Sequence, residues 1–122
     1  MKKRNTGSII GITTAALELD SKPTTMAGYV CAKHALRGML RELFYDVSTN
    51  NISVNAVAPD FVETNLHKDL PQQVLDLLHS NNDLKTTSPQ DVAEVFAYLC
   101  SEEGSSVTGQ TFVVGDNDEH RL

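Results

Sequence analysis

Tyr29 and Lys33 stand four residues apart in Tyr29-Val30-Cys31-Ala32-Lys33, at the start of the longest helical pattern in the chain. Apolar side chains follow at Leu36, Leu40, Leu43, Phe44 and Val47, the three-and-four spacing of one helix face. On a helix, four residues is about one turn, so the phenol and the ammonium share a side. An unperturbed tyrosine titrates near pH ~10 and is a poor acid or base at neutrality. A cation held beside it favours the phenolate, each tenfold gain in acidity corresponding to about 1.4 kcal/mol. The pair can then give a proton to a carbonyl oxygen or take one from an alcohol. The same spacing also describes a solvated amphipathic face, so the neighbouring segments must decide.

A chain of 122 residues predicts one domain, 1–122, with a modest core that is small for an enzyme holding a dinucleotide. With 40% hydrophobic and 21% charged residues the composition is that of a globular protein. A net charge of -6 argues against nucleic acid or an anionic membrane as partner. Cys31 and Cys100 form no disulfide framework, which predicts a reduced, cytoplasmic protein. Cys31 and His34 make a single CxxH without a second pair, so the expectation is a buried thiol beside a surface histidine and no metal. Met1 to Arg4 followed by Ser8 to Leu17 imitates a signal peptide, but Gly11, two threonines, Glu18 and Asp20 interrupt it. No segment approaches the ~18 apolar residues of a membrane span. Thr6 to Thr13 imitates a glycine-rich nucleotide loop, yet no strand precedes it and Ile9, Ile10 and Ile12 favour a strand.

Taken in order, Ser8 to Ile12 is a β-branched strand and Thr13 to Met26 a loop. A helix follows over Ala27 to Ser48, and Ile52 to Ala58 is a second strand, stopped by Pro59. Asp60 to Asp83 holds an irregular piece and a short helix over Pro71 to His79. Ser88 as N-cap, Pro89 at the first helical position and Asp91 in the first turn then open a helix that buries Val92, Val95, Phe96 and Leu99. Gly104 to Gly109 turns the chain into a third strand, Gln110 to Val114, and residues 116–122 form a frayed tail. This βαβαβ order predicts an α/β fold, a partial doubly wound, Rossmann-like sheet of three parallel strands with flanking helices. Ligands of such sheets lie beyond the carboxyl ends of the strands, where Thr13-Thr14, Pro59 to Thr64 and Gly115 all fall.

Five segments in this order and spacing resemble the C-terminal half of a short-chain dehydrogenase/reductase, of the 3-oxoacyl-carrier-protein-reductase-like type. Gly7 to Ile10 with Thr13-Thr14 resembles the strand that ends in paired serines, and Tyr29 to Lys33 resembles the YxxxK motif. Val54 to Pro59 resembles the VNxVxPG strand, Phe61 to Thr64 the cofactor loop after it, and Val107 to Gln110 the turn into the last strand. The resemblance implies Tyr29 as catalytic acid/base, Lys33 as the residue that lowers its pKa and holds the nicotinamide ribose, and Thr14 in the place of the catalytic serine, with Thr13 as the neighbouring candidate. It implies cofactor contacts from Tyr29, Lys33, Pro59, Val62 and Thr64, a structural role for Asn55, and NAD or NADP as cofactor.

Three departures shape the expectation. The family's glycine-rich loop, ribose selector and catalytic asparagine all lie N-terminal to the region matched. Asp60 stands where the family has glycine, placing a carboxylate near the nicotinamide in a loop that glycine would relax, and Gly115-Asp116-Asn117 replaces Asp-Gly-Gly. The implied function is an NAD(P)(H)-dependent oxidoreductase for a carbonyl/alcohol pair, as a truncated domain inactive without its N-terminal half. The alternative is an inactive remnant or split-gene product serving as an interaction partner. With the strand over Ser8 to Ile12 lacking its usual neighbour, self-association or a complementary half is expected.

Overall fold

Ile52-Ser53-Val54-Asn55-Ala56-Val57-Ala58 is apolar or small at nearly every position, the composition of a strand covered on both faces. In the computed structural model, which describes residues 1–18, 26–62 and 87–115, this segment is the central strand β2 (Ile52–Pro59), buried as far as Ala58. β1 (Gly7–Ile12) lies parallel to it from Gly7↔Ile52 to Ile12↔Val57, and β3 (Thr111–Val114) lies parallel on its other side from Ala56↔Thr111 to Pro59↔Val114. The order β1-β2-β3 is the parallel α/β sheet that the alternation of periods predicts.

Among the described residues, two helices cover the two faces. Successive strand residues point to opposite sides, so Ile52, Val54 and Ala56 meet helix α1 (Ala27–Asp46), joined by Ile9, Leu36, Leu40, Leu43, Phe44 and Val47. The opposite face takes helix α2 (Pro89–Cys100), whose Leu99 is buried with Val92, Val95 and Phe96 half-buried beside it. Ser8 lies on that side, donating to the Leu99 carbonyl (3.2 Å) while accepting from Ser53 Oγ (3.0 Å).

α2 begins as its sequence dictates. Ser88 Oγ accepts from the Asp91 amide (3.1 Å), and Asp91 Oδ2 accepts from the Ser88 amide (2.9 Å) and hydroxyl (2.7 Å). The hydrogen bonds from the Ser88 side chain, then from its backbone, hold the Asp91 carboxyl below the usual carboxylate range. A lowered folded-state value favours the folded state at neutral pH, and the contribution fades as acid protonates the group.

Several boundaries differ from expectation. α1 ends at Asp46, two residues early, because Val47 turns its side chain into the core as the C-cap. β2 continues through Pro59, which lies beyond the last β1 pair, Ile12↔Val57, so its missing N–H falls where that ladder has ended. β3 starts one residue late, Gln110 instead capping the sheet by accepting from Ala56 N (2.8 Å). The thiol of Cys31 is exposed rather than buried, since nine residues, about two and a half turns, place it opposite Leu40 on α1. The short helix over Pro71 to His79 and the tail 116–122 lie outside the described residues. Among the described residues, no helix is long and apolar enough to cross a membrane.

Helix and sheet approach closely at Gly11, where an added Cβ would overlap Leu40 Cδ1. Gly11→Ala is expected to cost about 1–3 kcal/mol through overpacking, and Leu40→Ala about 2–5 kcal/mol through a cavity. Because each relieves the other, the double variant should lose less than the two separate losses combined, as read from urea unfolding.

Candidate active site

The α1 face that buries Leu40 runs on past the carboxyl end of the sheet, and its first two members there are Tyr29 and Lys33. Tyr29 is 43% exposed. Lys33 Nζ lies 5.6 Å from the centre of the Tyr29 ring and donates to the Ile12 carbonyl at the end of β1 (2.8 Å). One of its three protons is thereby used, and two remain to reach a ligand. Among the described residues the Tyr29 hydroxyl makes no hydrogen bond. Phenol and ammonium are brought together, as their spacing predicts.

Thr13 and Thr14 follow directly. Thr13 is buried and tied to the sheet twice, its amide (2.8 Å) and hydroxyl (3.3 Å) both donating to the Val57 carbonyl. Thr14 caps a short 3-10 turn, Ala15–Leu17, and its Oγ1 accepts from the Ala16 amide at 3.4 Å. The Thr14 hydroxyl proton is not consumed by that contact, whereas the Thr13 proton already has a partner. Of the two candidates, Thr14 keeps a donor for an incoming oxygen.

Pro59 ends β2 at the same edge, and Val62 forms an isolated parallel bridge with Thr87. Asp60, expected to restrict its loop, has no positive φ, and its carboxylate accepts from the Phe61 amide (2.9 Å). The substitution for glycine is therefore accommodated without backbone strain. Thr64 lies outside the described residues. Asn55 is 2% exposed and far down the strand, with Nδ2 donating to the Val107 carbonyl (2.8 Å) and Oδ1 accepting from the Gln110 amide (3.1 Å). Those bonds fix the turn into β3, where Gly109 at φ 73° donates to the Val54 carbonyl (2.8 Å) against the Phe44 ring. A groove of about 740 Å³ runs between α1 and this turn, lined by His34, Arg41, Phe44 and Gln110 among others, and includes neither Tyr29 nor Lys33.

One contact goes unannounced in the sequence, the ion pair between Arg37 and Glu18 (3.1 Å). Arg37 continues the Tyr29, Lys33 spacing by one more turn and is detectable from period alone; its partner, in an irregular loop, is not.

Residues 1–116 match the family described as enoyl-(acyl carrier protein) reductase. The chain is 36% identical over 111 residues to a 3-oxoacyl-[acyl-carrier-protein] reductase FabG of Rickettsia felis, an alignment covering 90% of this chain and 43% of that protein. It is 30% identical to human dehydrogenase/reductase SDR family member 4, over 100% of this chain and 44% of that one. Among solved structures, L-sorbose reductase from Gluconobacter frateurii, complexed with NADPH and L-sorbose, superposes with a TM-score of 0.73 at 26% identity, covering 100% of this chain and 51% of that chain. The chain belongs to the short-chain dehydrogenase/reductase family. It spans less than half the length of these curated relatives.

Asn55 holds the turn into β3. Asn55→Ala leaves the Val107 carbonyl and the Gln110 amide, both only part-buried, without their partner, at roughly 0.5–1.5 kcal/mol for each bond lost. The denaturation midpoint should fall accordingly, with no change in m-value.

Proposed function

We propose that this chain carries the proton-transferring part of an NAD(P)(H)-dependent oxidoreductase acting on a carbonyl/alcohol pair. The observation that supports this most is the juxtaposition of Tyr29 and Lys33 beyond the sheet, with Lys33 bonded to the Ile12 carbonyl. Tyr29 gives its phenolic proton to the carbonyl oxygen during reduction and takes the hydroxyl proton during oxidation. Lys33 stabilises the phenolate by its charge and has protons left for the hydroxyls of a ribose. Thr14 donates its free proton to the reacting oxygen and so fixes the substrate against Tyr29.

The residues present fit the nicotinamide end of a dinucleotide: an exposed phenol, a lysine with two unused protons, and Pro59 and Val62 on the same edge. Thr64 completes this set in the reading from the motif. When bound, the cofactor supplies or accepts a hydride at C4 of the nicotinamide. The NADPH named with the sorbose reductase accords with this class of cofactor. Within Thr6 to Thr13, Gly7–Ile12 is a strand, not a phosphate-binding turn, so these residues offer the pyrophosphate no cradle. The unpaired thiols Cys31 and Cys100 accord with a cytoplasmic setting.

A second reading, an interaction partner without catalysis, is favoured by the edge of β1. Among the described residues no strand pairs there, and Ile12 is 48% exposed. The two readings part on turnover. The chain alone should show no micromolar binding of NAD(H) or NADP(H) by calorimetry. Supplied with a glycine-rich half from a relative, it should reduce carbonyl substrates, and Tyr29→Phe should remove nearly all turnover with the circular dichroism unchanged. Retained activity in Tyr29→Phe would refute the assignment of the acid/base; absence of any turnover would favour the second reading. Both readings expect self-association of the 122-residue chain or dependence on a partner. Light scattering behind a sizing column checks this, a monodisperse monomer with a cooperative melt being the contrary result.

A further inference from the structure

Tyr29, Lys33 and Arg37 recur at one-turn intervals along α1, and the second and third grip one loop. Lys33 holds its start through the Ile12 carbonyl (2.8 Å). Arg37 holds Glu18, which closes the 3-10 turn Ala15–Leu17, its Nη1 standing 3.1 Å from Glu18 Oε1. The six residues after Ile12, Thr13 to Glu18, carry the approach to the substrate oxygen if Thr14 has the role proposed for it. Within them, Leu17 N donates to the Thr14 carbonyl (3.1 Å) and Glu18 N to the Ala15 carbonyl (2.9 Å), so Glu18 is coupled to Thr14 through its neighbours Leu17 and Ala15.

The Glu18–Arg37 contact has the character of a charge clamp. Glu18 is the more buried partner, its side chain 16% exposed against 45% for Arg37. The buried Oε1 accepts no aligned hydrogen bond, so attraction between the charges, rather than a directed N–H bond, joins the two. The carboxylate also offsets the like-charge contact between Lys33 and Arg37, one turn apart on the same helix. A structure that needed only to close the loop could have used apolar packing, as Ala15 does at 1% exposure.

The geometry points to Arg37 and Glu18 as a positioning pair: together with the Lys33 bond, they fix the Thr13 to Glu18 loop on α1 and so set Thr14 against Tyr29. This rests on the proposed roles of Thr14 and Tyr29, while the clamp itself can be measured without them. Arg37→Met keeps the aliphatic stem and removes the charge; Arg37→Lys keeps the charge and loses the planar fork. In native-state hydrogen exchange of the full chain, Arg37→Met and Glu18→Gln should each lower protection at the backbone amides of positions 17 and 18 roughly two- to fivefold, the range of an ion pair with one largely exposed partner. Protection at Ala56 and Val57 in β2 should not change, and Arg37→Lys should restore the wild-type pattern. In the complemented enzyme, Arg37→Met should lower kcat about tenfold or more with KM little changed, as expected of a displaced reacting group. Unchanged loop protection in Arg37→Met overturns the clamp, as does a loss spread equally over β2, or a failure of Arg37→Lys to rescue. Local loss of protection with kcat unaltered overturns the positioning role. If Tyr29→Phe stays active while the Arg37→Met loop loosens and kcat falls, the clamp stands and the acid/base assignment alone is wrong.

Discussion

The seat of Leu40 on Gly11 is the constraint from which the site follows. With no side chain on Gly11, α1 comes down onto β1 and β2 at this point, and the helix axis is fixed close to the sheet. Rotation about that axis is fixed as well, because Leu36, Leu43, Phe44 and Val47 must turn toward the same strands. A helix pinned in both ways has no freedom left in where its first turns point. Tyr29 and Lys33 lie on the buried face by periodicity but ahead of it by length, so they project past Ile12 instead of into the core. Burying hydrophobic surface in one half of the helix thus positions polar chemistry in the other.

The hydrogen bond from Lys33 to the Ile12 carbonyl closes the same arrangement from above. A strand's last carbonyl needs a partner once the ladder runs out, and a lysine ammonium fills that need while keeping two protons. The backbone of β1 and the ammonium are therefore oriented by each other. Thr13 uses the remaining ladder bond to Val57, and Thr14 is delivered one residue further on, at the start of a turn.

Much of this is legible in the chain. The strands announce themselves by Ile9-Ile10-Gly11-Ile12 and Val54 to Ala58, the helices by the Leu36 to Val47 period and the Ser88-Pro89-Gln90-Asp91 cap; all five elements occur, four of them with one end shifted by one or two residues and the Ser88 cap where expected. Those shifts arise where a side chain chooses between roles that local sequence does not separate, as when Val47 leaves the helix to fill the core. Cys31 misleads for a simpler reason: the residue's type suggests burial while its phase on the helix forbids it. The Glu18–Arg37 contact is invisible in sequence because it joins a helix to an irregular loop, and no periodicity governs where such a loop returns.

The choice between Thr13 and Thr14 shows how much a position depends on what its donor already does. In sequence they are equivalent, neighbouring hydroxyls at a strand end. In the fold, the Thr13 amide still bonds β2, and burial obliges its hydroxyl to find the same Val57 carbonyl. Thr14, next along, faces out of the ladder and is engaged only as an acceptor, by the Ala16 amide of its own turn. A hydroxyl that accepts from the protein and has its proton to spare is suited to hold an oxygen that gains negative charge. The stiff χ1 of threonine and the turn together fix where Oγ1 sits, while the hydroxyl proton stays free to rotate toward an acceptor.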